Sequence, residues 1–322
     1  MNTSVPDSAY TVIDEARRYL ATKIVGQSML IDRLLMALLC GGHLLVEGAP
    51  GLAKTRAIKE LATVVEGDFH RIQFTPDLLP SDVTGTEIYR PEDGSFKFQP
   101  GPIFHNLILA DEINRAPAKV QSALLEAMAE HQVSVGRETY PLADLFLVMA
   151  TQNPIEQEGT YPLPEAQLDR FLMHLMVDYP DAAAEAEILR LVRDESSSAP
   201  VMPEFQVTQQ AVFTARKEIL RLHMAQSVED YIVALVMATR QAPESIAQWI
   251  DYGASPRATI SLDVCARAHA WLAGQDFVSP QDVQNVAHDV LRHRLILTFE
   301  ADAQGVNADQ VIDQLLQLVP VP

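Results

Sequence analysis

Eight consecutive residues, Gly48, Ala49, Pro50, Gly51, Leu52, Ala53, Lys54 and Thr55, carry the densest chemical signal in this 322-residue chain. They follow an apolar run and precede a helical pattern. Their spacing is that of a phosphate-binding loop, G-x-x-x-x-G-K-[ST], except that Ala53 stands at the second glycine. Such a loop turns its amides inward around phosphates, sends a lysine to the β- and γ-phosphates and offers a hydroxyl to Mg²⁺. Alanine at that place demands a backbone that tolerates a Cβ.

Further along, an apolar run ends in Asp111 and Glu112. Beside a phosphate loop these two carboxylates divide the work: Asp111 for the Mg²⁺ shell, Glu112 to polarise a water for in-line attack on a γ-phosphate. Taken without the loop, they are an ordinary solvated acidic turn. Asn153 closes another apolar run; its amide can hydrogen-bond both water and γ-phosphate, and Asn before Pro154 is also a good turn. Arg170 ends a short helical stretch. It lies too far along the chain's sheet to serve its own nucleotide, but suits a neighbouring subunit's γ-phosphate, where a guanidinium offsets transition-state charge. A surface ion pair is the competing reading. Arg257 falls in the first turn of a helix opened by Ser255 and Pro256, where a cation opposes the helix dipole and calls for an external anion such as phosphate.

The elements that must position these groups follow from periodicity. Short, nearly continuous apolar runs at 43–47, 69–74, 106–111, 145–150 and 171–177 read as strands, with helical patterns such as 54–65 and 118–131 between them. Buried strands separated by helices predict a parallel sheet covered on both faces, an α/β nucleotide-binding architecture. Beyond residue 181 helical periodicity takes over, at 181–195, 209–223, 228–239, 257–273 and 280–292, with Ser279-Pro280 as a helix-start signal and 196–203 as a linker. The expected domains are an α/β core over 1–180 and a smaller all-helical lid over 181–322. Two segments, 85–100 around Asp93-Gly94 and 132–143 around Gly136, read as β-hairpins inserted into the core.

Composition narrows the function classes. Hydrophobic residues make up 48% and charged residues 21%, so the chain carries enough apolar surface to fold. The net charge of −19 is evenly spread, with 14 basic against 24 acidic residues over 1–180 and 10 against 19 over 181–322. Neither half is a basic module, which counts against a broad grip on nucleic acid or anionic membrane. Cys40 and Cys265 are too few for a disulfide framework or a cysteine zinc site, and no zinc-ligand spacing joins the histidines. The first residues lack a signal-peptide layout and no window is long and apolar enough to span a bilayer, so a cytoplasmic location is expected.

Taken in order, these elements resemble an AAA+ ATPase: phosphate loop, paired carboxylates, sensor 1, arginine finger and sensor 2. The segments IVGQ at 24–27, EGAPGLAKT at 47–55, FTPDLLPSD at 74–82, DEINRAP at 111–117, QSALLEAMAE at 121–130, EGTYPLPEAQLDRF at 158–171 and GASPRA at 253–258 resemble the MoxR family within it, which is related to the magnesium chelatase ATPase subunit. That family also uses alanine at the position of Ala53. The resemblance implies a P-loop NTPase core and helical lid with ATP between them, Val25 and Gly26 near the adenine, Gly48 to Thr55 around the phosphates, and Thr55 and Asp111 on Mg²⁺. It further implies Glu112 as the activator of water, Asn153 as its positioner, Lys54 on the phosphates, Arg257 acting from the lid and Arg170 from the next subunit. It implies a homo-oligomeric ring, usually a hexamer, working with a VWA-domain partner to remodel or mature a client complex, with the two hairpins as the clade's helix-2 and pre-sensor-1 inserts. A DNA-processing AAA+ motor and a nucleotide-gated adaptor share the same nucleotide chemistry. The even negative charge speaks against the first, and the presence of Glu112 and Arg170 against the second.

Overall fold

The computed structural model of the protein describes residues 8–154, 159–197 and 202–322. Readings that touch residues 1–7, Glu158 or 198–201, including half of the 196–203 linker, lie outside the described residues. The chain forms two compact units: Met1–Leu163 with Leu175–Val212, and Pro164–His174 with Phe213–Pro322.

In the first unit, α1 (Ala9–Lys23) and α2 (Ser28–Cys40) lead into β1 (Leu44–Gly48), followed by α3 (Lys54–Val64), β2 (Phe69–Gln73) and the short α4 (Pro80–Thr84). Hairpin β3 (Gly85–Arg90) and β4 (Ser95–Pro100) precedes β5 (Leu107–Asp111) and α5 (Ala118–Glu130). A second hairpin, β6 (Gln132–Val135) and β7 (Glu138–Pro141), precedes β8 (Leu147–Gln152). Strand β9 is Met173–Val177 and α7 is Ala182–Ser197. The main sheet has the order β2-β5-β8-β1-β9, and β2, β5, β8 and β1 pair in parallel. Both hairpins are antiparallel, Thr86 facing Gln99 and Val133 facing Tyr140.

Burial explains the assignments. Every residue of β5 is buried, as a strand covered on both faces requires, and α3 buries Ala57, Ile58, Leu61 and Val64 at helical spacing. At about 1.5–3 kcal/mol for each fully buried Leu, Ile or Val side chain, the central strands fix the sheet register on which the site depends. Order matters as much as register. β8 lies between β5 and β1, so the carboxyl ends of these three neighbours bring the carboxylates, Asn153 and the phosphate loop to one edge, the place where open α/β sheets bind ligands.

The second unit contains α6 (Glu165–Leu168), most of α8 (Gln209–Arg221), α9 (Gln226–Arg240), α10 (Glu244–Ala247), α11 (Pro256–Leu272), α12 (Pro280–Leu291), α13 (Phe299–Ala303) and α14 (Ala308–Leu318). Four short strands accompany them: β10 (His223–Met224) beside β12 (Phe277–Val278), and β11 (Ile250–Tyr252) beside β13 (Ile296–Leu297). The unit is therefore helical with two small sheets. Ser279 caps α12 with Pro280 at its start, as read from the sequence, and Asp282 completes a reciprocal capping box.

The chain passes between the units at three points instead of once near residue 180. Helix α7 belongs with the sheet, because its Ile188 and Leu191 line a cavity with Ile24 and Val25. Residues 164–174 belong with the helices, because the turn Arg292–Arg294 bonds to them repeatedly.

Candidate functional site

The loop between β1 and α3 opens the site. Helix α3 starts at Lys54 with no side-chain cap, so its first amide groups have no capping side-chain acceptor. Ala53, just before it, has φ 56°, in the left-handed region a glycine favours. The alanine therefore adopts the backbone shape of the glycine it replaces, at a steric cost of about 1–2 kcal/mol. Gly48 cannot be enlarged: a Cβ there would lie 2.6 Å from the carbonyl oxygen of Val177.

Lys54 is a half-buried cation of the site. Its Nζ donates to the backbone carbonyls of Gly48 and, at 3.1 Å, Gln152. Burial lowers its pKa, partly opposed by the carboxylates of Asp111, Glu47 and Glu112. An ammonium held by two carbonyls in a poorly hydrated place is ready to exchange them for phosphate oxygens.

Asp111 is buried, and both its oxygens are engaged. Thr151 Oγ1 donates to Oδ1 at 2.6 Å, while Arg71 Nε and Nη2 both donate to Oδ2, at 3.0 and 2.6 Å. Glu112 has φ 57°, and its amide donates to Thr151 Oγ1 at 3.0 Å. Its Oε2 accepts from Gln73 Nε2 at 2.7 Å and pairs with Arg115 Nε at 3.2 Å. Arg71 Nη2 also donates to Gln73 Oε1 at 2.7 Å, so one face of β2 holds both carboxylates through a continuous polar chain.

A cavity of about 330 Å³ is lined by residues 50–56, Asp111, Glu112, Thr151, Gln152 and Asn153. Lysine, hydroxyl, both carboxylates and the amide predicted for phosphate chemistry thus share one space; of the loop, Gly48 and Ala49 are buried and do not line it. A second cavity of about 300 Å³ shares residues 50–53 and Arg56 with the first and continues to Ile24, Val25, Tyr179, Pro180, Ile188 and Leu191. Its walls are largely apolar, as a base-sized ring requires, with Val25 among them. Gly26 adjoins it at φ 76°, and a Cβ there would fall 2.8 Å from that of Ala184. Only glycine permits this approach of the 24–27 loop to α7.

Arg170 and Arg257 both lie in the helical unit. Arg170, half-buried, follows α6 in a turn whose amide bonds Gln167 O at 3.2 Å. Arg257, exposed at the start of α11, has a partner within the chain: Asp169 Oδ2 at 3.5 Å. The anion that its place on the helix calls for is therefore already supplied in part by a carboxylate.

Sequence reasoning missed Arg71, Gln73, Thr151 and Asp169. Arg71 and Gln73 alternate toward the carboxyl end of a strand, polar residues on one face where a core strand would carry apolar ones, and that signal was readable. Nothing in the sequence marks the coupling through Thr151 to Asp111, which depends on the β5-β8 register.

A phosphate loop between a buried parallel strand and a helix, sharing a cavity with paired carboxylates at the carboxyl end of β5, two strands away, and accompanied by a helical unit, defines a P-loop nucleoside triphosphatase domain with a lid. Residues 43–173 match the sequence family described as the ATPase family associated with various cellular activities (AAA), and residues 244–315 match the AAA lid domain. The chain is 48% identical over 304 residues to "Chaperone MoxR1" of Mycobacterium tuberculosis, covering 93% of this chain and 79% of that protein. It is 43% identical over 316 residues to "Uncharacterized protein YeaC" of Bacillus subtilis, covering 98% and 97%. A crystal structure from Cytophaga hutchinsonii superposes with a TM-score of 0.89 at 48% identity, covering 98% of this chain and 96% of that one. The chain belongs to the MoxR family of AAA ATPases. Among the described residues, no helix is long and apolar enough to cross a membrane.

Proposed function

We propose that this protein binds ATP with Mg²⁺ and hydrolyses it at the subunit interfaces of a homo-oligomeric ring, most simply a hexamer, in the cytoplasm. The energy would serve a chaperone-like remodelling or maturation of a client complex, together with a VWA-domain partner. The observation that carries the reading is the shared cavity containing Lys54, Thr55, Asp111, Glu112 and Asn153. Its donor set fits the metal: a hydroxyl and a carboxylate, both hard oxygen ligands. Mg²⁺ is commonly held by one or two protein oxygens plus the substrate's phosphates and waters. Thr55 and Asp111 would hold it, and bound there it would neutralise charge on the β- and γ-phosphate oxygens.

The protein's own groups do the rest. Lys54 exchanges two carbonyls for phosphate oxygens, and the uncapped amides of α3 receive the negative charge. Glu112 accepts a proton from the attacking water and Asn153 orients that water. Arg257 binds the terminal phosphate within the subunit, and Arg170 acts on the neighbouring subunit's nucleotide.

Phosphate release measured across a protein-concentration series tests the interface. Turnover per subunit should rise as subunits associate, and Arg170→Ala should abolish that rise while leaving nucleotide binding intact. Turnover independent of concentration and insensitive to Arg170→Ala would refute it. Mass spectrometry of proteins retained by the ATP-loaded Glu112→Gln variant tests the VWA partner.

A further inference from the structure

Asp169 is gripped unequally at its two oxygens. Oδ1 accepts from Arg294 Nε at 2.8 Å, and the Arg294 side chain is only 2% exposed. Oδ2 accepts from Ser255 Oγ at 2.9 Å and faces Arg257 Nη1 at 3.5 Å, a longer pair whose arginine side chain is 55% exposed.

The carboxylate cannot follow Arg257 if that arginine moves. Arg294 also donates to Phe171 O at 2.7 Å, to Leu172 O at 3.1 Å and to Ser261 Oγ at 3.2 Å. His293 Nε2 meets Phe171 O at 3.1 Å, and Arg292 bonds His174 O. The turn of residues 292–294 therefore fixes the backbone on the carboxyl side of Arg170, while Asp169 fixes the residue before it. Ser255 Oγ accepts from the Arg257 amide at 3.2 Å, so the carboxylate also sits at the positive end of α11. With Arg257 gone, Asp169 keeps Arg294, Ser255 and the helix terminus. With Asp169 gone, Arg257 keeps none of these anionic contacts.

We propose that Asp169 is a positioning residue, the resting partner of Arg257, from which the terminal phosphate of a bound nucleoside triphosphate must compete that arginine away. The proposal rests on the role given to Arg257 above. It adds that the residue adjoining Arg170 senses whether Arg257 is engaged, so that both arginines answer to one carboxylate in one compact unit.

An exposed ion pair withholds an arginine from a competing anion by about two- to fivefold. The test is titration of the full-length chain with fluorescent non-hydrolysable ATP analogue and with fluorescent ADP, in wild type, Asp169→Asn, Arg257→Ala and the double variant. Asparagine retains one acceptor oxygen for Arg294 and turns its NH2 toward Ser255 Oγ, which can accept, while removing the charge. Asp169→Asn should tighten the triphosphate about two- to fivefold, leave ADP unchanged, and change nothing in the Arg257→Ala background. A purely structural role would move both nucleotides, or persist without Arg257, and either result overturns the proposal, as does unchanged triphosphate affinity. Should Asp169→Asn fail to fold, Asp169→Ser carries the same expectation. Absence of saturable nucleotide binding in wild type overturns the functional reading itself, and the proposal with it. Binding that depends on Lys54 and Arg257 but not on charge at position 169 overturns the proposal alone.

Discussion

Glu112→Gln separates turnover from everything else the residue does. In the folded chain, Glu112 Oε2 accepts from Gln73 at 2.7 Å and pairs with Arg115 at 3.2 Å, the two charged side chains being 29% and 40% exposed. A glutamine keeps a carbonyl oxygen for Gln73 and gives up only the exposed pair to Arg115, worth about 0.2–0.5 kcal/mol for residues three apart. The left-handed backbone at φ 57° is no harder for glutamine than for glutamate, so strain cancels. Stability should therefore change by less than about 1 kcal/mol. The loss on the reaction is far larger. Removing a general base costs about 10²–10⁴ in rate, or about 2.7–5.5 kcal/mol of barrier. Urea melts, fluorescent-nucleotide titration and steady-state phosphate release should accordingly show an unchanged midpoint, retained ATP binding and kcat reduced at least a hundredfold. A kcat within fivefold of wild type would show that Glu112 does not activate the water. ATP affinity falling as far as kcat would place the residue in binding.

Two further outcomes follow from charges held inside the fold. Burial lowers the pKa of Lys54 below its ordinary 10.5, so between the two values the unfolded chain binds more protons than the folded one, and stability contributed at this site rises with pH through that window. Lys54→Met should therefore be no less stable than wild type in urea at pH 7 and should lack that alkaline gain, while ATP binding weakens about tenfold or more with the loss of charge-assisted bonds to phosphate. A variant destabilised at pH 7 would show that the lysine serves the fold. Arg294→Met leaves Asp169 Oδ1 without its buried partner and removes a donor from the carbonyls of Phe171, Leu172 and Val290, and should cost about 3–5 kcal/mol in urea unfolding as the breakage of a buried pair does; a loss under 1 kcal/mol would mean that the surrounding chain relaxes to admit water.

What was legible in the sequence was whatever obeys local rules. The five strands begin and end within a few residues of their apolar runs, because a buried parallel strand is largely apolar, although β2 at the sheet edge buries only Ile72. Both hairpins appear where Asp93-Gly94 and Gly136 announce turns, with Gly94 at φ 66° and Gly136 at φ 63°. The contacts that tie distant segments together were not legible. Phe98 of the first hairpin stacks on Tyr140 of the second with centroids 4.0 Å apart, making the two inserts neighbours although 42 positions separate these rings. Assignment of 164–174 to the helical unit was hidden for the same reason, since it rests on Arg292, His293 and Arg294 more than a hundred residues later.

Backbone strain gives the site a further physical signature. Ala53, Glu112 and His131 are the non-glycine residues with positive φ among those described, and the first two line the same cavity. His131 merely terminates α5. At Glu112 the strain is held by neighbours: its amide is bound to Thr151, whose hydroxyl is bound in turn to Asp111. Fixing one carboxylate thereby fixes the turn that carries the other, and a shift in β8 would disturb both together. Glycine would be easier at that position but carries no group for the proton transfer proposed for Glu112, and under that proposal the cost of about 1–2 kcal/mol is tied to the chemistry. Ala53 has no such chemical reason, because its methyl group carries no reactive atom. Its strained shape belongs to the loop, setting the uncapped start of α3 beside the cavity proposed for phosphate.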